Sequence, residues 1–327
     1  MTGMTASIHA FGKLPLAGDF IRYKLDSEES RGFAGWVEKG QILVEAVNRS
    51  AGVKPPAAAA RRRYLFALDQ GFGRRMVAGI MHESNDKGGL RRFPFALFAS
   101  LEAGGYRSRP ALMPIVLDEG WRALEEKMVG FKGAAKVEDL FRGLDGLSFP
   151  HAEPSRAEAD ALDRLLQGEK AGTFWGKVFP GAKKDRRVLL FDVLVRALQP
   201  YQSARPEEAS VTLKLPLGGG PGEVTAQAAF WIDLLSGILS GARFASEIFL
   251  EAPEEGKPPR SLQIFFQRPD EKCFASLMTG KYESEYVDDL TRDLAPMRSG
   301  LVLSERHRRL LESDDVSLME LARSRWL

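Results

Sequence analysis

A chain of 327 residues and 36.2 kDa is about twice a typical domain length, so two domains or one large one are expected. Hydrophobic residues make up 44% and charged residues 28%, which excludes disordered, collagen-like and disulfide-scaffold classes. Lys and Arg total 46 against 44 Asp and Glu, a net charge of +2 that offers no basic excess for nucleic acid or an anionic membrane.

The chain opens with a strand pattern at 8–11, followed by a Gly- and Pro-interrupted loop at 12–19. A helix is expected next, capped by Asp26 with Glu29 three residues on. Phe33, Trp36, Val37, Leu43, Val44 and Val47 lie along one side of it. Lys54, Pro55, Pro56 and four alanines read as a linker. Residues 64–69, 75–81 and 93–101 read as three antiparallel strands, and 112–128 as a helix. Strand, helix, three strands, helix fits an α+β layer better than a doubly wound parallel sheet, and by analogy suits a longin- or profilin-like unit.

Pro150 and Pro154 make 146–154 a connector, so the expected domains are residues 1–148 and 155–327. Up to residue 150 there are 22 basic and 17 acidic residues, and beyond it 24 and 27, so the halves carry +5 and −3. The second half reads as a mixed α/β, helix-rich domain. Helices are expected at 156–167, at 187–199 (ended by Pro200), at 224–239, at 270–278 and within 301–326. Strands are expected at 211–215, 248–250 and 262–266.

Catalytic signals are sparse. His9, His82, His151 and His307 form no i,i+3 or i,i+4 metal pair, and no G-x-S-x-G elbow occurs. Gly218 to Gly222 lacks the Gly-Lys-Ser/Thr of a phosphate loop and reads as a flexible turn. Asp288-Asp289 and Asp314-Asp315 read as helix-start or solvated acids, and Arg61 to Arg63 as a solvated or domain-facing edge. Cys273 stands alone, which excludes an intramolecular disulfide and a multi-thiolate zinc site, and it is expected to pack as a small hydrophobe. The N-terminus has no signal-peptide pattern and no apolar run reaches about 20 residues, so a cytoplasmic location without membrane insertion is expected. A non-enzymatic protein with no cofactor, no metal and no nucleic acid is therefore expected. The alternative is a metal-dependent hydrolase or phosphatase-like enzyme with a dispersed site of His82, Asp19 and Asp86.

The most specific stretch is Phe11-Gly12-Lys13-Leu14-Pro15-Leu16-Ala17-Gly18-Asp19-Phe20-Ile21-Arg22. Gly12 and Gly18 can take positive φ, Pro15 biases Leu14 toward extended geometry, and Asp19 can accept from nearby backbone N–H groups. A second stretch holds Ser84-Asn85-Asp86 and then Gly89-Leu90-Arg91-Arg92-Phe93-Pro94-Phe95, where an arginine could pair with Asp19 or Asp86 and Pro94 suggests a strand start. The chain resembles the TagF family, also called ImpM, of bacterial type VI secretion accessory proteins. That family's opening motif reads approximately FGKLPxxGDFV, and its second reads S-x-D followed by GR-x-FPL. Leu16-Ala17 departs from the Ala-Arg often found in the first motif. Thinner matches follow at Phe230-Trp231 and at 274–277.

The resemblance implies post-translational restraint of secretion through protein contact, with a forkhead-associated scaffold protein as partner. Two roles are open to the motifs. In one, they serve only to fold the domain and tie loop to sheet. Alternatively, Lys13, Arg22, Arg91 and Arg92 form a basic rim beside an exposed Leu14 or Phe20, a mix common at interfaces.

Overall fold

The computed structural model describes residues 4–50, 62–69, 74–89, 91–131, 136–202, 212–239, 247–252, 260–266, 268–280, 287–292, 294 and 302–326. The expected linker at Lys54 to Pro56, Arg61 and Leu90 lie outside them. The first half runs β1 (Met4–Gly12), β2 (Ile21–Tyr23), α1 (Glu28–Ser50), β3 (Arg63–Leu68), β4 (Met76–His82), β5 (Phe95–Leu101), α2 (Gly104–Ser108), α3 (Met113–Phe131) and α4 (Val137–Asp145). Its strands lie in the order β2-β1-β5-β4-β3, all antiparallel, with Gly12, Phe95 and His82 in register. The α+β expectation holds, with helices over an antiparallel sheet.

Local chemistry moves some boundaries. Ser27, not Asp26, caps α1: its Oγ accepts from Ser30 N at 3.0 Å. Glu29 instead turns outward from the helix start to accept from the backbone N–H groups of Arg74 and Arg75. The expected connector contains a strand, β6 (Ser148–His151), which pairs with the first half of β1. Only four residues long, it tolerates Pro150 because that proline faces Thr5 at a sheet edge, where a missing donor costs little.

The second half continues with α5 (Arg156–Gly168), α6 (Ala171–Val178), α7 (Asp185–Gln202), β7 (Thr212–Pro216), α8 (Val224–Ile238), β8 (Glu247–Ala252), β9 (Ser261–Phe265), α9 (Glu271–Thr279), β10 (Val287–Asp289), α10 (Glu305–Glu312) and α11 (Leu318–Ala322). Pro200 does not end α7. It sits in the last turn, where its missing N–H removes one terminal bond. Asp288 and Asp289 lie on a strand rather than at a helix start, and β10 runs parallel to β7. The 301–326 segment breaks at Asp314, whose carboxylate is drawn to Lys184 and Arg187, and Ser317 starts a new helix with a capping box to Glu320. Gly218 to Gly222 forms a held turn: Gln227 bonds both the N–H and the carbonyl of Gly218, and Glu223 accepts from Gly220 N.

The sheet does not stop at 149–154. Its ten strands follow the path β10-β7-β9-β8-β3-β4-β5-β1-β2, with β6 added beside β1, and the halves join where β3 pairs with β8 from Arg63↔Ala252 to Ala67↔Ile248. One face is covered by α1 and α9, with Phe33, Trp36, Phe66, Phe249 and Phe274 in its core. The other is covered by α3 and α8, with the remaining helices packed around them. Each helix layer thus draws on both halves. Gly40 makes the α1–α9 contact possible, since a Cβ there would lie 2.4 Å from the Phe274 ring.

Candidate functional site

Both sequence motifs converge at one end of the β4-β5-β1 segment. After β1 the chain stays extended for one more residue, so Lys13 N donates to Pro94 O at 3.3 Å. Gly12 sits at φ 132° with its α-carbon against that strand. A Cβ would stand 2.0 Å from Pro94 O, so only glycine fits. A turn follows in which Ala17 N donates to Leu14 O, with Pro15 at its second position. Ala17 O then accepts from Lys87 N at 2.9 Å, tying the first motif to the second. Gly18 does not use a positive φ, and a Cβ there would meet nothing within 4 Å. Asp19 accepts from Phe20 N at 2.7 Å.

The second motif closes on itself. Phe93 N donates to Ser84 O, Asp86 N to Arg91 O, and Arg91 N to the Asp86 carboxylate at 3.3 Å. The Arg91 guanidinium is 3.9 Å from Asp86 and mostly exposed. Arg92 is exposed, and its carbonyl accepts from Gln41 of α1. Pro94 immediately precedes β5.

Three phenylalanines join the motifs. Phe11 stacks on Phe20 at 5.8 Å, and Phe93 stands edge-on to both, at 5.6 Å from Phe11 and 4.7 Å from Phe20. Arg22 lies over Phe11 and Phe20 and bonds Glu38 of α1 at 2.7 Å. Phe20 is half-buried, and Ile42 on the same helix is exposed.

Two residues of the expected rim are elsewhere. Leu14 is buried in the core beneath α3, and Lys13 is only 2% exposed. Because the extended backbone alternates faces and both faces carry helices, neither side chain reaches solvent. The rim therefore consists of Arg22, Arg91 and Arg92, and its apolar element is Phe20. Lys13 Nζ has no hydrogen-bond partner and lies 4.5 Å from the Phe20 ring centroid. An unpaired buried ammonium costs several kcal/mol, of which a desolvated cation–π contact returns about 2 kcal/mol. Ser84 Oγ is likewise buried without a partner. Sequence periodicity gives no sign of either.

The residues of the alternative reading are held locally. His82 Nδ1 contacts Glu83 O, Asp19 caps Phe20, and Asp86 serves Arg91. Among the described residues no group of three or more His, Cys, Asp or Glu could hold a metal ion. Cys273 is packed against the α1–α9 core, and burial pushes its thiol up to about 12. Arg62 donates to Leu277 O at 2.6 Å and Arg63 pairs with Glu125, so these two arginines face the protein. Among the described residues no helix is long and apolar enough to cross a membrane.

The first half is thus an antiparallel sheet with helices on both faces, whose two motifs meet in an aromatic cluster flanked by arginines. Residues 9–144 match the TagF N-terminal domain, type VI secretion system-associated. This region of the chain is thus similar to the N-terminal domain of the TagF family. The crystal structure of PA0076 from Pseudomonas aeruginosa PAO1 is similar with a TM-score of 0.44 and 15% identity, covering 85% of this chain and 96% of that one. No curated protein matches.

Proposed function

We propose that this chain restrains type VI secretion after translation by protein–protein contact, without catalysis, and that its partner is the forkhead-associated scaffold of the machine. The observation that supports the reading is the convergence of two motifs, separated by more than 60 residues, into one face. There Arg22 lies over the half-buried Phe20, and the exposed Arg91 and Arg92 precede Phe93, whose ring packs on Phe20. Cations around an aromatic anchor are enriched at interface centres.

The test is effector release from cells lacking the chain, complemented with wild type or with the Arg91→Glu/Arg92→Glu variant. Restored restraint by wild type, lost restraint by the variant and a nearly unchanged melting temperature are expected. Unchanged release on deletion refutes the function. A large drop in melting temperature on charge reversal assigns the motifs to folding instead.

A further inference from the structure

We propose that Lys13 is the seat for a carboxylate carried by an acidic segment of a protein partner, reached when the Phe20 ring swings off it. The proposal rests on the reading of the motif face as a partner surface.

Several other buried or half-buried cations among the described residues have counter-ions. Lys177 meets Glu169 at 2.9 Å and Glu223 at 2.8 Å, Arg187 meets Asp314 at 2.6 Å, and Lys214 meets Glu251 at 3.1 Å. Lys13 is more deeply buried than these, and among the described residues neither an acceptor nor a carboxylate reaches its Nζ. A lysine kept for structure would be paired or would lead its amine to water.

Phe20 lies over Lys13, with its ring centroid 4.5 Å from Nζ. Phe20 is half-buried, and the chain from Lys13 to Phe20 forms a turn, held by the Leu14–Ala17 and Ala17–Lys87 backbone bonds, rather than a strand or helix. Moving the ring opens the ammonium toward the side where Arg22 and Arg91 stand in solvent. Those guanidinium groups raise the local concentration of an acidic segment, and the ammonium receives one of its side chains. A single ammonium in a dry site balances one carboxylate, whereas a phosphate dianion would leave a net buried charge.

The test compares wild type, Lys13→Met and Arg91→Glu/Arg92→Glu for binding of an acetylated hexaglutamate peptide by calorimetry. Lys13→Met is expected to melt at or above the wild-type temperature, because it removes an unpaired charge, and to bind at least tenfold more weakly. The arginine variant is expected to bind more weakly as well. Loss of binding in the arginine variant with wild-type affinity in Lys13→Met overturns the seat and leaves the surface standing. Equal binding by all three proteins overturns both, and no binding by wild type overturns the carboxylate assignment. A hexapeptide with phosphothreonine at one position that binds tighter than hexaglutamate also overturns it. Acetic anhydride footprinting provides a readout independent of the stability of Lys13→Met. Lys13 is expected to label slowly in wild type and at least tenfold faster in Phe20→Ala, with hexaglutamate protecting it. Labelling that is already fast in wild type, or unprotected in Phe20→Ala, refutes the proposal.

Discussion

Replacing Phe274 by alanine is expected to weaken the first half of the chain as much as the second. Phe274 is fully buried on α9, and its ring lies in the notch left by Gly40 and edge-on to Trp36 at 5.0 Å. Trp36 also donates from Nε1 to Asp270 O at 2.9 Å, so the residue that caps α9 is bound to α1 as well. Truncating a buried phenylalanine costs about 3–5 kcal/mol, which includes about 0.5–1.5 kcal/mol from the aromatic pair. Against a typical stability of about 5–15 kcal/mol, this is about a fifth or more of the total.

The β3–β8 pairing and the shared helix layers allow no route by which α9 loosens while α1 stays. Urea denaturation followed by circular dichroism should therefore show one transition, shifted to lower urea. Amide exchange should accelerate together in β3 to β5 and in β7 to β9. Two separate transitions, or faster exchange confined to 212–279, would refute the shared core. They would instead establish residues 1–148 and 155–327 as independently stable domains.

Two further substitutions probe the motif end of the sheet. Gly12→Ala meets Pro94 O and a positive φ together, so a loss of about 3 kcal/mol or more is expected, while Gly18→Ala stays within about 0.5 kcal/mol. Urea midpoints check both, and a loss below about 1 kcal/mol at Gly12 contradicts the close approach. His9 contacts Lys24 O through Nδ1 at 2.5 Å, and burial, outweighing that bond, lowers its folded pKa below the ordinary 6.5. The unfolded chain therefore binds the proton first. Its contribution to stability is full above pH 6.5 and is lost as pH falls through the lowered value. Denaturation midpoints at pH 7.5 and 5.5 should separate for wild type and converge for His9→Gln.

Local periodicity made some of this legible. The α1 stripe of Phe33, Trp36, Val37 and Val44 and the three strands β3 to β5 follow from spacings of 3.6 and 2 and from turn residues. Strand β6 was hidden because Pro150 suggests a break, and nothing local shows that β1 offers a spare edge. Helix α6 is hidden because it is only eight residues long and contains Gly172 and Gly176, which are poor helix formers. The motifs were visible as unusual sequence, but the burial of Lys13 and Leu14 was not. It depends on Pro94 extending the sheet by one residue and on helices from distant parts of the chain covering both sides.

The charge asymmetry also takes its meaning from the sheet. Two lobes of +5 and −3 invite an electrostatic docking between halves, yet the junction is made of β3–β8 backbone bonds and aromatic packing. The ion pair that spans it, Lys39 to Glu271, is 3.9 Å long and largely exposed, a geometry that contributes little. Glu247, fully buried at the same junction, accepts from the backbone N–H of Asp69 at 2.8 Å and acts electrostatically on Arg107 of the first half. Part of the positive excess of the first half stands at the exposed Arg91 and Arg92, in the connection between β4 and β5, strands that do not themselves pair across the junction. A partner that engages those charges competes with the Arg91–Asp86 pair but not with the β3–β8 bonds that join the halves.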